Sequence, residues 1–202
     1  MALITIDNQT APTTPAASKS SLWVESTNKR QLQTDDGGVH RGIIAHNNST
    51  AAQGALATTE VYLTGSGLKI PSYGMQVGMT FVWYISVVKT AAGVAAPVWT
   101  FRIGTNQTTA DTSRLALTAT GIQAATAFDG ILVAMVYAPT VSATGTIAGS
   151  GGSGPNFGGG GSGTSATFDN TGTIAGQFLG LTVTTGASAA WTVNAVSCFA
   201  FC

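Results

Sequence analysis

The sequence has little charge. Only 8% of its 202 residues are Asp, Glu, Lys or Arg, against roughly 25% in an ordinary soluble domain. Its hydrophobic fraction of 44% is usual, so the chain does not combine the low hydrophobicity and high net charge that are typical of disordered proteins. The formal net charge is zero, which leaves no long-range field to attract nucleic acid or an acidic membrane surface. We therefore expect neither as a partner.

Long hydrophobic runs are also missing. The longest, 81–88 and 131–138, have the length of strands and fall far short of the roughly 20 residues that a membrane-spanning helix needs. The first residues, Met1 to Asp7, lack the positive region and long apolar core of a secretory signal. We expect the protein to be made in a cytoplasm and kept there until something releases it.

Cysteine is scarce, with only Cys198 and Cys202 in the chain. In an extended strand this spacing separates the two Cα atoms by about 13 Å, well beyond the roughly 7 Å that a disulfide allows. The pattern predicts two reduced cysteines that act as small apolar residues of a core or an interface. A bridge between chains, or a turn that brings the two together, is the alternative.

Charge is distributed unevenly along the chain. Half of the sixteen charged residues lie in the first 42 positions, and no Lys or Arg follows Arg114. From Leu115 onward only Asp129 and Asp169 are charged. Because surface charge normally keeps protein molecules apart, so neutral a surface would self-associate. We infer that sister subunits cover much of the second half.

The first fifty residues have the pattern of an extended arm. Residues 11–20 are rich in Pro, Thr, Ser and Ala, which favour extended backbone over helix. Two short strand-like pieces follow at 22–24 and 31–33, and the Asp-Asp-Gly-Gly of 35–38 closes them as in a small hairpin. The low-charge stretch 46–59 is expected to link the arm to the rest.

From Glu60 onward the pattern is one of strands and turns. In 98–103, Trp99, Phe101 and Ile103 alternate with the other residues, which is the period of two of a strand. Further strands are predicted at 61–63, 68–70, 79–89, 114–118, 131–137, 178–184 and 191–201.

These strands predict an all-β fold, a jelly-roll-like β-sandwich, because roughly eight of them are joined by Gly and Pro turns and no helical spacing appears. The predicted boundaries are an arm with its hairpin at 1–50, a sandwich at 51–202 and a Gly-rich loop at 149–163. That loop contains no Lys and so is not a phosphate-binding P-loop. It is either a flexible surface loop or an exposed tip that meets a partner.

Few residues carry catalytic or metal-binding chemistry. His40 and His46 are too few for zinc, which needs three or four convergent ligands, and we expect no metal and no cofactor. The adjacent pair Asp35–Asp36 precedes two glycines, which indicates a turn rather than a glycosidase site. A Ser-His-Asp triad would converge only in space and stays open, although no Gly-x-Ser-x-Gly elbow occurs. We expect a non-enzymatic protein.

Tryptophan has two possible uses here. Trp83, Trp99 and Trp191 lie within strand patterns, which favours core packing over a platform for sugar binding. Trp23 lies outside the predicted sandwich and is expected to bury itself against some other surface.

Two ordered series of residues resemble a known class of proteins. The first runs through Pro15, Leu22-Trp23-Val24, Lys29-x-x-Leu32 and Asp35-Asp36-Gly37; the second runs through 61–66, 70–71, 77–83, 89–93, 103–105 and 109–112. Together they resemble tailed-bacteriophage virion structural proteins of the head-decoration, head-fibre and tail-fibre type, which have an N-terminal arm and a β domain. The resemblance covers 15–138 and fades beyond Pro139.

The resemblance implies a non-enzymatic virion protein, assembled in the host cytoplasm, that decorates or stabilises the capsid. It implies a homotrimer whose arm attaches to other virion proteins, such as the major capsid protein, and whose sandwich projects. The alternative is a tail-fibre or receptor-binding subunit that contacts host surface polysaccharide. A capsule depolymerase is a third interpretation, but such enzymes need convergent carboxylates, which are scarce here.

We assign partner binding to residues of the arm. Apolar members would be buried against the partner, and charged members would set the register more than the strength, because exposed ion pairs contribute only about 0–1 kcal/mol. The assigned residues are Leu22, Trp23, Val24, Lys29, Arg30, Leu32, Asp35, Asp36 and Arg41.

Overall fold

The computed structural model describes residues 8–9, 14–17, 19, 21–25, 31–34, 40–90, 97–118, 126–137, 144–152, 164–169, 174–186 and 191–202. All regular structure in these ranges is β-strand, and none of it is a helix that could span a membrane. The strands are β1 Asn8–Gln9, β2 Ser21–Glu25, β3 Gln31–Thr34, β4 His40–Arg41, β5 Ile43–Ser49, β6 Gln53–Leu56, β7 Val61–Tyr62, β8 Leu68–Lys69, β9 Thr80–Lys89, β10 Val98–Gly104, β11 Thr112–Thr118, β12 Thr126–Tyr137, β13 Thr144–Gly152, β14 Thr164–Asp169, β15 Phe178–Thr184 and β16 Trp191–Phe201.

The strands form three sheets. A seven-stranded sheet has the order β14-β13-β12-β9-β16-β5, with β6 also paired to β16. A five-stranded sheet has the order β11-β10-β15-β7, with β8 also paired to β15. The N-terminal β1 to β4 form a separate four-stranded sheet in chain order. All pairs are antiparallel except β1 with β2.

The core lies between the two larger sheets. Along β9, Phe81, Trp83, Ile85 and Val87 are buried, because alternate side chains of a strand point to one face. The ring of Trp83 meets that of Phe101 from β10 edge-on, with centroids 5.2 Å apart at 72°. The predicted all-β sandwich is therefore confirmed.

The edges of the two larger sheets approach each other at β11 and β14. There Arg114 Nη1 donates a hydrogen bond to the carbonyl oxygen of Thr167 at 3.3 Å. This contact joins the sheets through backbone and a long side chain, away from the apolar core.

Several predicted boundaries are accurate. Strands β15 and β16 cover the predicted 178–184 and 191–201, and Trp99, Phe101 and Ile103 are all buried as their alternation predicts. The hairpin of the arm is also present, with Trp23 opposite Leu32 in the antiparallel pair β2–β3.

Other boundaries were wrong. Ile43–Ser49 pairs with β16 and belongs to the seven-stranded sheet, not to an arm that ends at residue 50. The stretch 46–59, predicted as a link, contains the end of β5 and all of β6. These strands are polar and border the sheet, so their side chains carry no apolar alternation.

The predicted Gly-rich loop also begins too early. Residues 149–152 belong to β13 and pair with Ala134 to Ile131 of β12. A strand ladder is made by backbone groups, so glycine can take part without any signal in side-chain pattern. The remaining positions, 153–163, lie outside the described residues.

Candidate functional site

Part of the predicted attachment site of the arm is buried within the chain itself. Trp23 is 1% exposed, its Nε1 donates a hydrogen bond to Thr34 Oγ1 at 2.8 Å, and its ring meets Tyr73 edge-on at 6.0 Å. Leu32, opposite Trp23, is also 1% exposed. The expectation that Trp23 and Leu32 are buried against a partner is therefore wrong, because both pack into the core of their own chain.

The outward face of the same hairpin remains free for contact. Leu22 is 57% exposed and Val24 is half-buried, since they alternate with the buried Trp23 along β2. Arg41 belongs to β4, whereas the other charged residues assigned to partner binding lie outside the described residues: Lys29, Arg30, Asp35 and Asp36.

A second polar site, which the sequence did not reveal, lies on the five-stranded sheet. Arg102 holds Glu60 through two parallel hydrogen bonds, Nε to Oε1 at 2.9 Å and Nη2 to Oε2 at 2.7 Å. Thr182 on β15 donates its hydroxyl to the same Oε1. The three groups join the segment before β7, strand β10 and strand β15 across the outward face of this sheet.

Arg102 also fixes the loop that follows its strand. Its Nη1 donates to the carbonyl oxygen of Asp111 at 2.5 Å, and Asp111 Oδ1 accepts from the backbone N–H of Asn106 at 3.1 Å. One guanidinium thus ties together the loop 105–111 and the Glu60 carboxylate. Its charge is paired with Glu60 and each of its three nitrogens donates a hydrogen bond, so the arrangement indicates a structural role.

Two buried groups near the sheets are held in their neutral forms. Burial raises the pKa of Tyr62 to about 12, and the charge of Asp111 adds to the shift. Burial also raises the pKa of Cys198 to about 12, against a smaller lowering by a hydrogen bond with the backbone of Asn47. A thiol with this pKa is protonated at neutral pH and a poor nucleophile. Cys198 and Cys202 are both free thiols, as their spacing predicts.

The Glu60–Arg102 pair gives a prediction about pH. Burial raises the pKa of Glu60, but the hydrogen bonds from Arg102 and Thr182 and the charge of Arg102 outweigh it, so the net pKa lies below the usual 4.5. A carboxyl whose pKa is lowered by folding stabilises the folded state at pH values above its unfolded-state pKa. That stabilisation is lost as the pH falls through its folded-state pKa. We expect Glu60→Gln to lower the melting temperature by about 2–4 °C at pH 7, because a partly exposed ion pair contributes about 1 kcal/mol.

The same comparison at acidic pH is the control. As the pH falls through the lowered pKa of Glu60 in the folded state, the wild-type carboxyl becomes protonated, so the melting temperatures of wild type and Glu60→Gln should converge. Scanning calorimetry at several pH values measures both. A difference that stays constant between pH 7 and pH 3 would contradict the ionic role of Glu60.

Within the part of the chain that the structure describes, no group of three or more His, Cys, Asp or Glu residues converges on one point. His46 is exposed on β5, with the register pairing it to Phe199 of β16.

The comparisons with known proteins add little to this picture. No model of a known protein family matches the chain, and no curated protein matches it. Among solved structures, the chain is similar to peanut lectin with a nine-residue peptide, at 9% identity over 77% of this chain and 96% of that chain. The TM-score is 0.29, which is too low to support an argument, so the fold rests on the strands and their pairing.

The sequence offered one signal for the polar site. Arg102 is the one charged residue of β10 and lies on the face opposite Trp99 and Phe101, and a partly buried charge needs a partner. Its partner Glu60 is 42 residues away, and no local pattern connects the two.

Proposed function

We propose that this chain is a non-enzymatic structural subunit of a tailed-bacteriophage particle, which decorates or stabilises the capsid as a homotrimer. The N-terminal sheet of β1 to β4 attaches the subunit to other virion proteins. The sandwich packs against sister subunits and projects from the particle. The alternative is a tail-fibre or receptor-binding subunit that contacts host surface polysaccharide.

The observation that supports the proposal best is how little charge the sandwich presents to solvent. Six charged residues from position 43 onward have described side chains: Glu60, Lys69, Lys89, Arg102, Asp111 and Arg114. None of these six is fully exposed.

Four of these six described charges are buried or paired within the chain. Lys89 and Asp111 are 1% and 4% exposed, and Lys89 Nζ lies 5.5 Å from the ring centroid of Trp191. Glu60 and Arg102 neutralise each other. A freely diffusing monomer is normally kept soluble by exposed charge, whereas a subunit covered by its neighbours in an assembly has no such need.

The alternative function requires a different kind of surface. A receptor-binding subunit concentrates its affinity in a small, chemically distinctive patch, whereas a cementing subunit needs broad contact with the shell. The broad neutral surface favours the cementing role. A capsule depolymerase would in addition shorten host polysaccharide when the two are incubated together.

The location of the protein is the decisive test. Particles should be purified from a lysate of the host that carries the gene, labelled with an antibody against this chain and viewed by electron microscopy. We expect label over the head. Label confined to the tail would support the tail-fibre alternative, and particles that lack the protein altogether would contradict both.

The attachment role of the arm gives a second prediction. Leu22→Asp should weaken binding to particles that lack the protein, because a leucine buried at an interface contributes about 1.5–3 kcal/mol, or about tenfold or more in affinity per arm. Three arms on one trimer would multiply the loss through effective concentration. The half-saturating concentration, read from occupancy on sedimented particles, measures the effect.

A point substitution is cleaner here than a truncation, since removing the arm would also remove Trp23 from its contact with Tyr73. Val61→Asp is the matched control, because Val61 is an exposed apolar residue at 37% on the sandwich. If Leu22→Asp binds like wild type, or if Val61→Asp is impaired as much, the arm is not the attachment device.

A further inference from the structure

An aromatic cluster lies on the outer face of the seven-stranded sheet. Tyr84 of β9 is 49% exposed, Phe201 of β16 is 39% exposed and Ile43 of β5 is 46% exposed. Phe199 links them: its ring meets Tyr84 edge-on at 6.4 Å and stacks on Phe201 at 6.3 Å and 27°. We call Ile43, Tyr84, Phe199 and Phe201 the aromatic face.

These residues are not part of the core between the two larger sheets. On β9 the alternate positions Phe81, Trp83 and Ile85 already fill the space between the sheets. Tyr84 points the other way, as do Phe199 and Phe201, which alternate with the buried Cys198 and Ala200. A contiguous exposed apolar patch with Tyr and Phe at its centre is typical of a protein–protein contact.

We propose that the aromatic face is the surface through which copies of this chain associate. The inference rests on the self-association included in the proposed function, and it names the face that carries it. It does not depend on whether the assembly is a phage particle.

The charge pattern favours a second copy over a different partner. The described outward positions of β9, β16 and β5 include no Asp, Glu, Lys or Arg. A partner with charged groups would have to desolvate them against this face with nothing opposite to pair them. A second copy brings the same uncharged surface, and a net charge of zero means that copies do not repel one another at long range.

The size of the sheet is sufficient for a stable contact. From strand spacing and rise, the face of β9, β16 and β5 measures on the order of 480 Å², and the whole seven-stranded sheet about twice that. A standard interface buries about 800 Å² on each partner. The aromatic face would therefore form the centre of the contact, and the neighbouring strands its rim.

The test is the mass of the full-length chain in solution. Wild type, Tyr84→Lys and Val61→Lys are compared by sedimentation velocity and light scattering across micromolar concentrations. We expect an oligomer for wild type and for Val61→Lys, because Val61 is exposed on the other sheet. Tyr84→Lys should raise the dissociation constant at least about thirtyfold, as loss of a central aromatic contact does.

Each other outcome overturns the inference. A monomeric wild type would contradict both the proposed role of the aromatic face and the self-association in the proposed function. An oligomer that survives Tyr84→Lys, or that dissociates equally with Val61→Lys, would reject this face and leave self-association standing. Circular dichroism checks that the variant is folded. If Tyr84→Lys is not folded, Phe201→Lys at the end of β16 replaces it as the test variant.

Discussion

Replacing Gly65 with alanine is expected to lower the free energy of unfolding by about 2–5 kcal/mol. Gly65 has φ of +80° in a turn closed by a hydrogen bond from Ser66 N–H to the Leu63 carbonyl at 3.1 Å. An alanine Cβ would lie 2.5 Å from the carbonyl carbon of Asn48 and 2.6 Å from the nitrogen of Ser49. Both are backbone atoms of β5, and backbone atoms cannot rotate away from the clash as a side chain could.

Gly78→Ala is the matched control for this prediction. Gly78 also has a positive φ, +88°, but a Cβ there would meet nothing within 4 Å. It should therefore show only the conformational cost of about 1–2 kcal/mol. Urea unfolding of both variants separates the two contributions, and equal losses would show that β5 does not pack against the turn as described.

The turn at Gly65 matters because several interactions of the core converge on it. The carbonyl oxygen of Ser66 accepts a hydrogen bond from Trp83 Nε1 at 2.7 Å, and Cys198 Sγ lies 3.3 Å from the carbonyl oxygen of Gly65. Ser66 Oγ in turn accepts from the N–H of Leu181 at 3.0 Å. The turn thus connects β9 and β16 of one large sheet with β15 of the other.

Trp83→Ala is expected to remove about 3–5 kcal/mol of stability, a large part of the roughly 5–15 kcal/mol that stabilises a typical domain. Trp83 is fully buried between the sheets, stacks on Phe81 at 6.2 Å and meets Phe101 edge-on at 5.2 Å. The substitution leaves a large cavity and also takes the hydrogen-bond donor from the buried Ser66 carbonyl.

The neighbouring residue supplies the control. Tyr84 follows Trp83 in the same strand but faces outward, so Tyr84→Ala should cost less than about 1 kcal/mol in the isolated subunit. Both variants should be compared by urea unfolding at a concentration where Tyr84→Ala and wild type have the same oligomeric state. Similar losses for the two substitutions would contradict the assignment of the two faces of β9.

Strands with an apolar alternation could be predicted closely. Trp99, Phe101 and Ile103 are buried as predicted, and β15 and β16 begin and end at the predicted residues. The physical reason is local: a strand between two layers must place apolar side chains at every second position, and the sequence displays that period directly.

Strands without this period could not be predicted. β13 is rich in glycine and β5 is mostly polar, and both are strands because a neighbour, β12 or β16, offers backbone groups to pair with. Backbone hydrogen bonding leaves no trace in side-chain type, so only the folded sheet shows it. The role of Trp23 was mistaken for a related reason, since its contact Tyr73 lies 50 positions away and no pattern near either residue indicates it.

The sequence by itself determined that this protein is an all-β sandwich with a small N-terminal hairpin and an almost uncharged second half, because composition and the period of two are written along the chain. Tertiary structure alone decided that Trp23 is internal, that Glu60 and Arg102 meet, and that the aromatic residues of β9 and β16 share one exposed face. These facts depend on sheet register and on which strands become neighbours, and both are set by the packing of distant segments.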